Sequence, residues 1–314
     1  MAEQRPIVGG LTDALTVGGY RLGSLVARAT PAAVARGTLT LLAPGVAFSQ
    51  PGRREMIERH LRRVDPALRG LALRRASQRA FDSYLRYYAE SFRLPSLSRR
   101  YVDRMFSVDG FDNIERGLEA GNGVILALPH LGGWEWAGRW MGDKGHRLTV
   151  VVEALEPPEL FEWFTALRRN LGMNVVPLGP TAAGEVAAAL SRNEVVCLLC
   201  DRDIAGNGIS VEFFGEATTL PAGPAMLGLR TGAAVLPTAV YFTEKVDGHH
   251  AVVRPPLALE RRGRLRDDVN DGTALLAREL ELLIRRAPDQ WHLFQPNWPS
   301  DPGWSGGPVD GAHE

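Results

Sequence analysis

Short, continuous apolar runs alternate with segments of helical hydrophobic period from residue 109 to about residue 286. The runs predict strands at Val124–Leu128, Leu148–Val152, Val175–Leu178, Val195–Leu199, Ile209–Phe213, Val235–Phe242 and Ala251–Arg254. The other segments predict helices at Trp134–Met141, Pro158–Leu171, Ala182–Arg192, Gly223–Thr231 and Val269–Arg286. Strands that are apolar throughout and separated by helices are typical of an α/β fold, with a mostly parallel central sheet flanked by helices. In such folds the functional site lies at the carboxyl ends of strands.

The first hundred residues have a different pattern, in which apolar positions recur at helical spacing beside arginines. Amphipathic helices are predicted at Leu11–Ala29, Ala32–Leu42, Arg54–Leu61 and Ala67–Phe92. The first apolar stretch is interrupted by charged residues and glycines, so no signal peptide is expected. The longest uncharged stretch of this region, Gly37–Gly52, has 16 residues, fewer than the ~20 apolar residues that a membrane span needs.

Charge separates these two parts of the chain. Residues 1–100 carry 17 Lys and Arg against 7 Asp and Glu, and the remaining residues carry 19 against 29. Amphipathic helices that carry many arginines suit the membrane interface, so the basic region is expected to meet an anionic membrane surface. The alternative is that each helix packs on the core and leaves its arginines in solvent. The net charge of +10 over the whole region favours membrane contact.

The chain is expected to form a single domain overall. Residues 1–105 are predicted as a basic, helical, membrane-facing region packed on an α/β core at residues 106–300, followed by a disordered tail at residues 301–314. Apolar residues make up 45% of the chain and charged residues 23%, which excludes wholesale disorder or a bundle of membrane spans. The only cysteines, Cys197 and Cys200, lie in an apolar strand segment that points their sulfurs to opposite faces, so buried thiols are expected rather than a redox pair.

The strongest candidate for chemistry follows the first predicted strand of the core. His130 comes directly after Val124–Leu128 and a proline, and two glycines then allow a sharp turn into a helix that carries Glu135 in its first turn. An imidazole can take up a proton near neutral pH, and a carboxylate can fix its tautomer and stabilise the imidazolium. Free amides at the start of the helix could bind a developing anion. From the residues alone, the alternative is a hydrogen-bonded loop histidine.

The segment from Leu128 to Gly138 resembles the H-x4-D/E motif of the glycerolipid-type acyltransferases. It is most similar to the bacterial phosphatidylinositol mannoside acyltransferases and their lipid A acyltransferase relatives. Further motifs resemble this family in the same order, at Val195–Asp203, Val211–Glu216, Leu220–Ala225, Thr231–Pro237 and Asp289–Trp298. The resemblance runs from about residue 20 to residue 298 and covers most of the chain.

This resemblance implies the transfer of a long-chain fatty acyl group from acyl-CoA to a mannose hydroxyl of a phosphatidylinositol mannoside. It implies that His130 is the general base and that Asp201 is a second acid that relays charge to it. Glu135 occupies the carboxylate position of the motif, so which of the two acids orients His130 stays open. Arg168 resembles an arginine that lines the family's site, and Asn207 falls near a position that contacts the donor.

Neither a metal nor a cofactor other than the acyl-CoA donor is predicted. His249 and His250 are adjacent, and neighbours on a strand face opposite ways, which does not suit a shared metal. No serine nucleophile stands in a Gly-x-Ser-x-Gly elbow between a predicted strand and a predicted helix, which favours direct acyl transfer over a covalent acyl-enzyme. Asp201 has an alternative role too, because acids at strand ends often cap the following turn.

The expected location is the cytoplasmic face of the cell membrane, with the protein bound peripherally. Its expected partners are acyl-CoA, a phosphatidylinositol mannoside glycolipid and the anionic membrane surface, with no nucleic acid. Two other functions remain open: a lipid A-type acyltransferase that uses acyl carrier protein or another glycolipid acceptor, and a non-catalytic lipid-binding protein. The sequence gives neither the acyl chain length nor the oligomeric state.

Overall fold

The computed structural model of the protein describes residues 18–20, 22–153, 157–307 and 309. It confirms the predicted fold class, because a seven-stranded, mostly parallel sheet is flanked by helices. The predicted N-terminal helix at Leu11–Ala29 lies partly outside the described residues, and residues 22–29 of it are helical.

The strands are β1 (Phe106–Asp109), β2 (Val124–Leu128), β3 (Leu148–Val152), β4 (Met173–Pro177), β5 (Val195–Leu199), β6 (Ile209–Phe213), β7 (Glu216–Leu220), β8 (Ala234–Phe242) and β9 (His249–Val253). The helices are α1 (Ala32–Ser49), α2 (Pro51–Val64), α3 (Gly70–Arg93), α4 (Arg99–Arg104), α5 (Phe111–Glu119), α6 (Trp134–Asp143), α7 (Pro158–Asn170), α8 (Ala182–Ser191), α9 (Gly223–Thr231) and α10 (Leu265–Arg285). Single 3-10 turns lie at Leu94–Ser96 and Pro288–Gln290.

The main sheet has the strand order β1-β9-β8-β2-β5-β3-β4. All neighbouring strands are parallel except β8 and β9, which are antiparallel. β6 and β7 form a separate antiparallel hairpin. Because β2 and β5 are adjacent and parallel, the residues that follow them lie at the same edge of the sheet.

Alternate residues of the central strands point into two hydrophobic cores. Ile125 and Ala127 of β2 belong to the core that includes residues of α8 and α10. Leu126 and Leu128 belong to the other core, with residues of α5 and α6. Every residue of β2 is buried, which explains why its sequence shows an unbroken apolar run instead of a polar alternation.

Two strands and two helices lie outside the sequence predictions. β1 is the edge strand beside β9, and its residues alternate between half-buried and exposed. β7 contains a glutamate and two threonines. Neither has the continuous apolar run on which the predictions depend, so the pattern does not reveal them. The short helices α4 and α5, which flank β1, were not predicted either.

The N-terminal helices pack against the body of the protein. Phe81 of α3 lies in one hydrophobic cluster with Phe294, and Phe92 in another with Phe164 of α7. Among the described residues, no single helix is long and apolar enough to cross a membrane. The two halves of α1, Ala32–Thr38 and Leu41–Ser49, meet the length and composition of a span only when they are taken together across a 40° bend.

Asp301, where the sequence predicts that a disordered tail begins, is buried. Its carboxylate accepts backbone hydrogen bonds from Asn297 and Trp298 and pairs with Arg63 of α2. The packed part of the chain therefore extends through this residue. The rest of the predicted domain organisation stays a prediction.

The two cysteines are free thiols, as predicted; Cys200 is buried, whereas Cys197 is half-buried. Burial raises the pKa of Cys197 to about 12 and that of Cys200 well above its usual range, so both are protonated at neutral pH. His249 and His250 contact different acids, since Nε2 of His249 lies 3.0 Å from Glu90 and Nε2 of His250 lies 3.3 Å from Asp109. The two rings therefore do not share a ligand.

Candidate active site

The candidate base, His130, lies in the loop between β2 and α6, and this loop packs against β8. Gly132 has a φ of +63°, and a Cβ there would lie 1.9 Å from the carbonyl oxygen of Val240. A Cβ at Gly133 would lie 2.4 Å from Nε2 of His249. The turn therefore requires glycine at both positions. The backbone N–H of Gly133 donates to Val240 at 3.1 Å, which ties the loop to β8.

His130 and Asp201 form a hydrogen-bonded pair between the ends of β2 and β5. Nδ1 of His130 lies 2.7 Å from Oδ1 of Asp201, and the backbone N–H of His130 donates to Oδ2 at 2.9 Å. Nδ1 is the donor in this pair, because an ionised carboxylate only accepts hydrogen bonds. Nε2 makes no hydrogen bond within the described residues, and the side chain of His130 is 26% exposed. Nε2 is therefore the ring nitrogen that a substrate proton can reach.

Asp201 is fully buried. In addition to the two hydrogen bonds from His130, its carboxylate accepts one from Nε1 of Trp291 at 2.7 Å. Burial raises the pKa of Asp201, but the His130 ring and the hydrogen bonds outweigh burial and hold this pKa below its usual value. The arrangement fixes the tautomer of His130 and can stabilise the imidazolium after proton uptake.

Glu135 lies in a different network. Its Oε1 accepts hydrogen bonds from Nε and Nη2 of Arg168 at 2.9 and 2.7 Å, and one from the hydroxyl of Tyr87 at 3.1 Å. Within the described residues Glu135 makes no hydrogen bond to His130. The structure thus brings Asp201, rather than Glu135, to the ring of the candidate base.

Asn207 lies apart from these groups. It is exposed on the loop between β5 and β6, and it does not line the cavity described next. Nearby, the carboxylate of Asp203 accepts the backbone N–H groups of Gly206 and Gly208, which shapes this loop. The expectation that Asn207 contacts the donor stays a prediction.

An apolar cavity lies between the sheet and helices α5 and α6. Trp134, Glu135 and Arg168 line it near the carboxyl ends of the strands, and residues of β1, β9 and α5 line it on the side of the sheet's edge. His130 is not itself in the lining. The ring of Trp134 lies edge-on to that of His130, with 5.9 Å between the ring centroids, so this tryptophan contacts both the base and the cavity.

Three residues of the site are missing from the sequence predictions: Tyr87, Trp291 and His292. The backbone N–H of His292 donates to the carbonyl of His130 at 2.7 Å. Burial, with the nearby His130, lowers the pKa of His292 to about 3, so its ring is neutral and is not a competing base near neutral pH. Trp291 and His292 lie in the resembling segment Asp289–Trp298, whereas one sequence gives no sign that Tyr87 reaches Glu135.

Within the described part of the chain, no group of three or more His, Cys, Asp or Glu side chains is arranged to hold a metal ion. The two acids of the site instead pair with basic side chains, Asp201 with His130 and Glu135 with Arg168. The expectation that no metal or further cofactor is needed stays a prediction.

Comparison with known proteins adds an independent line of information. The family model for bacterial lipid A biosynthesis acyltransferases matches residues 19–300. The chain is 37% identical over 303 residues to the phosphatidylinositol mannoside acyltransferase of Mycolicibacterium smegmatis, which covers 94% of each chain. It is 36% identical over 299 residues to the enzyme of the same name from Mycobacterium tuberculosis strain H37Rv, covering 93% of this chain and 91% of the relative. A lipid A biosynthesis palmitoleoyltransferase of Escherichia coli K12 is 28% identical over 195 residues and 60% of each chain.

Proposed function

The chain belongs to the family of bacterial lipid A biosynthesis acyltransferases, and from this membership we propose that it transfers a long-chain acyl group from acyl-CoA to a mannose hydroxyl of a phosphatidylinositol mannoside. The observation that carries the mechanism is the 2.7 Å contact between Nδ1 of His130 and Oδ1 of Asp201, next to an apolar cavity. That an acyl group is transferred follows from the family. The donor, the acceptor and the roles of the residues are the proposal.

The choice of acceptor rests on the relatives. Those named phosphatidylinositol mannoside acyltransferases match at 36–37% identity over more than nine tenths of the chain. The lipid A enzyme of Escherichia coli matches at 28% over 60% of the chain. Similarity over nearly the whole length includes both the N-terminal helices and the C-terminal segment that contacts the candidate dyad, and therefore favours the mannoside.

In the proposed reaction His130 acts through Nε2. A sugar hydroxyl is a weak nucleophile, and Nε2 removes its proton as the oxygen attacks the thioester carbonyl. Asp201 holds Nδ1–H and stabilises the imidazolium that forms. The new C–O bond forms, the C–S bond breaks, and the departing thiolate takes the proton from His130. A general base of this kind accounts for about 10²–10⁴-fold in rate.

Arg168 is proposed to bind the acyl donor near its carbonyl. Two of its nitrogens, Nε and Nη2, are bound to Glu135, and Arg168 lines the cavity next to Trp134. Burial lowers the pKa of Arg168, but Glu135 outweighs this effect and raises it further above its usual range. A fixed positive charge beside the cavity suits the oxyanion that develops during attack on the thioester.

We propose direct transfer, without an acyl-enzyme. Cys197 is the thiol that lines the cavity, and burial raises its pKa to about 12, so it is not a thiolate at neutral pH. A protonated thiol is a poor nucleophile. The acyl chain itself is proposed to occupy the cavity, whose walls in the sheet and in α6 are almost entirely apolar.

A peripheral position at the cytoplasmic face of the cell membrane is part of this proposal. Several large apolar side chains of the N-terminal helices are exposed, among them Leu41 at 83% and Phe48 at 86%. Such exposed groups on α1, which precedes the arginine-rich helices α2 and α3, favour binding in the interface of an anionic bilayer. The cytoplasmic face is proposed because the proposed donor, acyl-CoA, is a cytoplasmic metabolite.

The test is acyl transfer by the purified protein from long-chain acyl-CoA to a phosphatidylinositol mannoside, followed by mass spectrometry of the lipid. His130→Gln should lose about 10²–10⁴-fold in kcat. His250→Gln is the matched control, because His250 lies on β9 and contacts Ser107 and Asp109 instead of the candidate dyad. Turnover of His130→Gln at the wild-type rate would contradict the mechanism.

The same assay separates the alternatives. Transfer from acyl carrier protein but not from acyl-CoA would favour the lipid A-type donor. Acyl transfer to a lipid A precursor but not to the mannoside would favour the lipid A-type acceptor. Binding of acyl-CoA without any transfer would favour a lipid-binding protein, against which family membership already argues.

A further inference from the structure

We propose that Trp291 is a positioning residue for acyl transfer. Its indole N–H holds the Asp201 carboxylate in the orientation in which Asp201 accepts the hydrogen bond from Nδ1 of His130. Nε1 of Trp291 donates to Oδ2 of Asp201 at 2.7 Å. The inference rests on the proposed function, in which His130 is the general base.

The two oxygens of Asp201 have different partners. Oδ1 accepts from Nδ1 of His130 at 2.7 Å, whereas Oδ2 accepts from the backbone of His130 at 2.9 Å and from the indole of Trp291. The first two donors both belong to His130, the residue that Asp201 has to orient. The indole of Trp291 is the donor from another segment of the chain, so it ties the carboxylate to a fixed point outside the pair and fixes the direction of the Nδ1–H bond, and with it the direction in which Nε2 points.

The indole is itself held firmly. Trp291 is 3% exposed, and its ring packs against those of Phe214 and His60, with centroids 5.6 and 5.5 Å away. Its backbone pairs with Leu131 in the loop that carries His130, and the N–H of the next residue donates to the carbonyl of His130. One short segment therefore holds the acid by a side chain and the base by its backbone.

The indole N–H also shares the negative charge of Asp201. Without it, the carboxylate would attract the imidazolium more strongly, so His130 would take up its proton at a higher pH. The carboxylate would also be less well oriented. Trp291→Phe should therefore reduce kcat about tenfold, the size of effect expected when a hydrogen bond to a charged group is lost. The KM for the acyl donor should stay the same, because Trp291 does not line the cavity.

The experiment compares the pH profiles of kcat/KM for the wild type, Trp291→Phe and Trp298→Phe. Trp298 is the matched control, because it is a fully buried indole of the same aromatic cluster that donates to the carbonyl of Phe213. Both variants should lower the melting temperature. Only Trp291→Phe should lower kcat and move the acidic limb of the profile to higher pH. The proposal is overturned if folded Trp291→Phe has the wild-type kcat and an acidic limb at the wild-type pH. It is also overturned if Trp298→Phe moves the acidic limb by the same amount.

A second measurement covers the case in which Trp291→Phe does not fold. In protein labelled with ¹⁵N at the indoles, the N–H resonance of Trp291 should shift with pH as His130 ionises, and this dependence should disappear in His130→Gln. Trp134→Phe removes the signal of the other indole beside His130. A Trp291 indole resonance that does not change as His130 ionises overturns the proposal. Wild-type turnover by His130→Gln would instead overturn the proposed function.

Discussion

Arg168 donates two hydrogen bonds to a single oxygen of Glu135, from Nε at 2.9 Å and from Nη2 at 2.7 Å. The hydroxyl of Tyr87 donates to the same oxygen at 3.1 Å. The carboxylate of the H-x4-E motif is therefore bound to an arginine of α7 and a tyrosine of α3, while the acid at the end of β5 is bound to the motif histidine. The motif's histidine and glutamate lie five positions apart and take part in separate networks.

Glu135→Gln tests this separation. Loss of the buried carboxylate leaves Arg168 without its counter-charge, so the free energy of unfolding should fall by about 3 kcal/mol. KM for acyl-CoA should rise, since Arg168 lines the cavity. The acidic limb of the pH–rate profile should not move, because Glu135 makes no hydrogen bond to His130 within the described residues. Urea denaturation and a pH series of kcat/KM measure the two effects. A displaced acidic limb would mean that Glu135 acts on the base after all.

Asp201→Asn should instead lower kcat and leave KM for acyl-CoA almost unchanged. An uncharged amide stabilises an imidazolium far less than a carboxylate does, and its NH2 group can donate to Nδ1 and favour the wrong tautomer of His130, so kcat should fall by ~10³-fold or more. KM for acyl-CoA should change little, because Asp201 does not line the cavity. The measurement is steady-state kinetics, with circular dichroism to show that the variant is folded. If Asp201→Asn loses less kcat than Glu135→Gln, the assignment of the two acids is reversed.

The strands at the centre of the sheet and the carboxyl-end position of His130 were predictable from sequence. β2, β3 and β5 have the predicted bounds because the strands of the sheet's interior carry nearly continuous apolar runs, and β6 of the separate hairpin has its predicted bounds too. The contact of His130 with Asp201 depends on β2 and β5 being neighbours, a feature of the strand order that no local pattern contains. The roles of Glu135 and Tyr87 depend on the packing of α3 beside α6, which joins residues 48 positions apart. The family resemblance supplied Asp201 as a candidate, but only the structure shows which acid contacts the ring.

Ala251→Leu is expected to shift the acyl-chain preference toward shorter chains. Ala251 lines the cavity on β9, which lies two strands from β2 and next to the edge strand β1, and a larger side chain there removes space on that side. kcat/KM for a long-chain acyl-CoA should fall several-fold more than for a short-chain one. The matched control is Val252→Leu, because Val252 faces the opposite core and does not line the cavity. An equal loss with both chain lengths would mean that the acyl chain does not reach this end.

The double substitution Leu41→Glu with Phe48→Glu is expected to weaken membrane binding. Both side chains are more than four fifths exposed on α1, so their loss should cost little stability. Binding to vesicles that contain anionic phospholipid should fall at least tenfold, because two apolar groups are lost and two negative charges are added. Co-sedimentation measures this. Leu282→Glu on α10 is the control, an exposed leucine outside the N-terminal helices. Equal binding by wild type and double variant would contradict a role for α1 at the membrane.

Asp301 is expected to make the stability of the protein depend on acid pH. Burial raises its pKa, but hydrogen bonds from His60 and the backbone of Asn297, together with Arg63, outweigh burial and hold the pKa well below its usual range. A carboxylate with a depressed pKa stabilises the folded state above the unfolded-state pKa of ~3.9, and this contribution is lost as pH falls further. Asp301→Asn should therefore lower the free energy of unfolding by about 3 kcal/mol at pH 7.

The difference between wild type and Asp301→Asn should shrink as the pH is lowered below about 4, because wild-type Asp301 then becomes protonated on unfolding. Denaturant titrations between neutral pH and acid measure this difference directly. Asp112→Asn is the control, since Asp112 is an exposed carboxylate paired with Arg116 on the surface of α5, and its loss should change stability by less than about 1 kcal/mol at any pH. A gap between wild type and Asp301→Asn that stays constant with pH would show that Asp301 stabilises the fold by packing and neutral hydrogen bonds alone. The buried link from α2 to the chain following Trp298 would then contribute no charge-dependent stability.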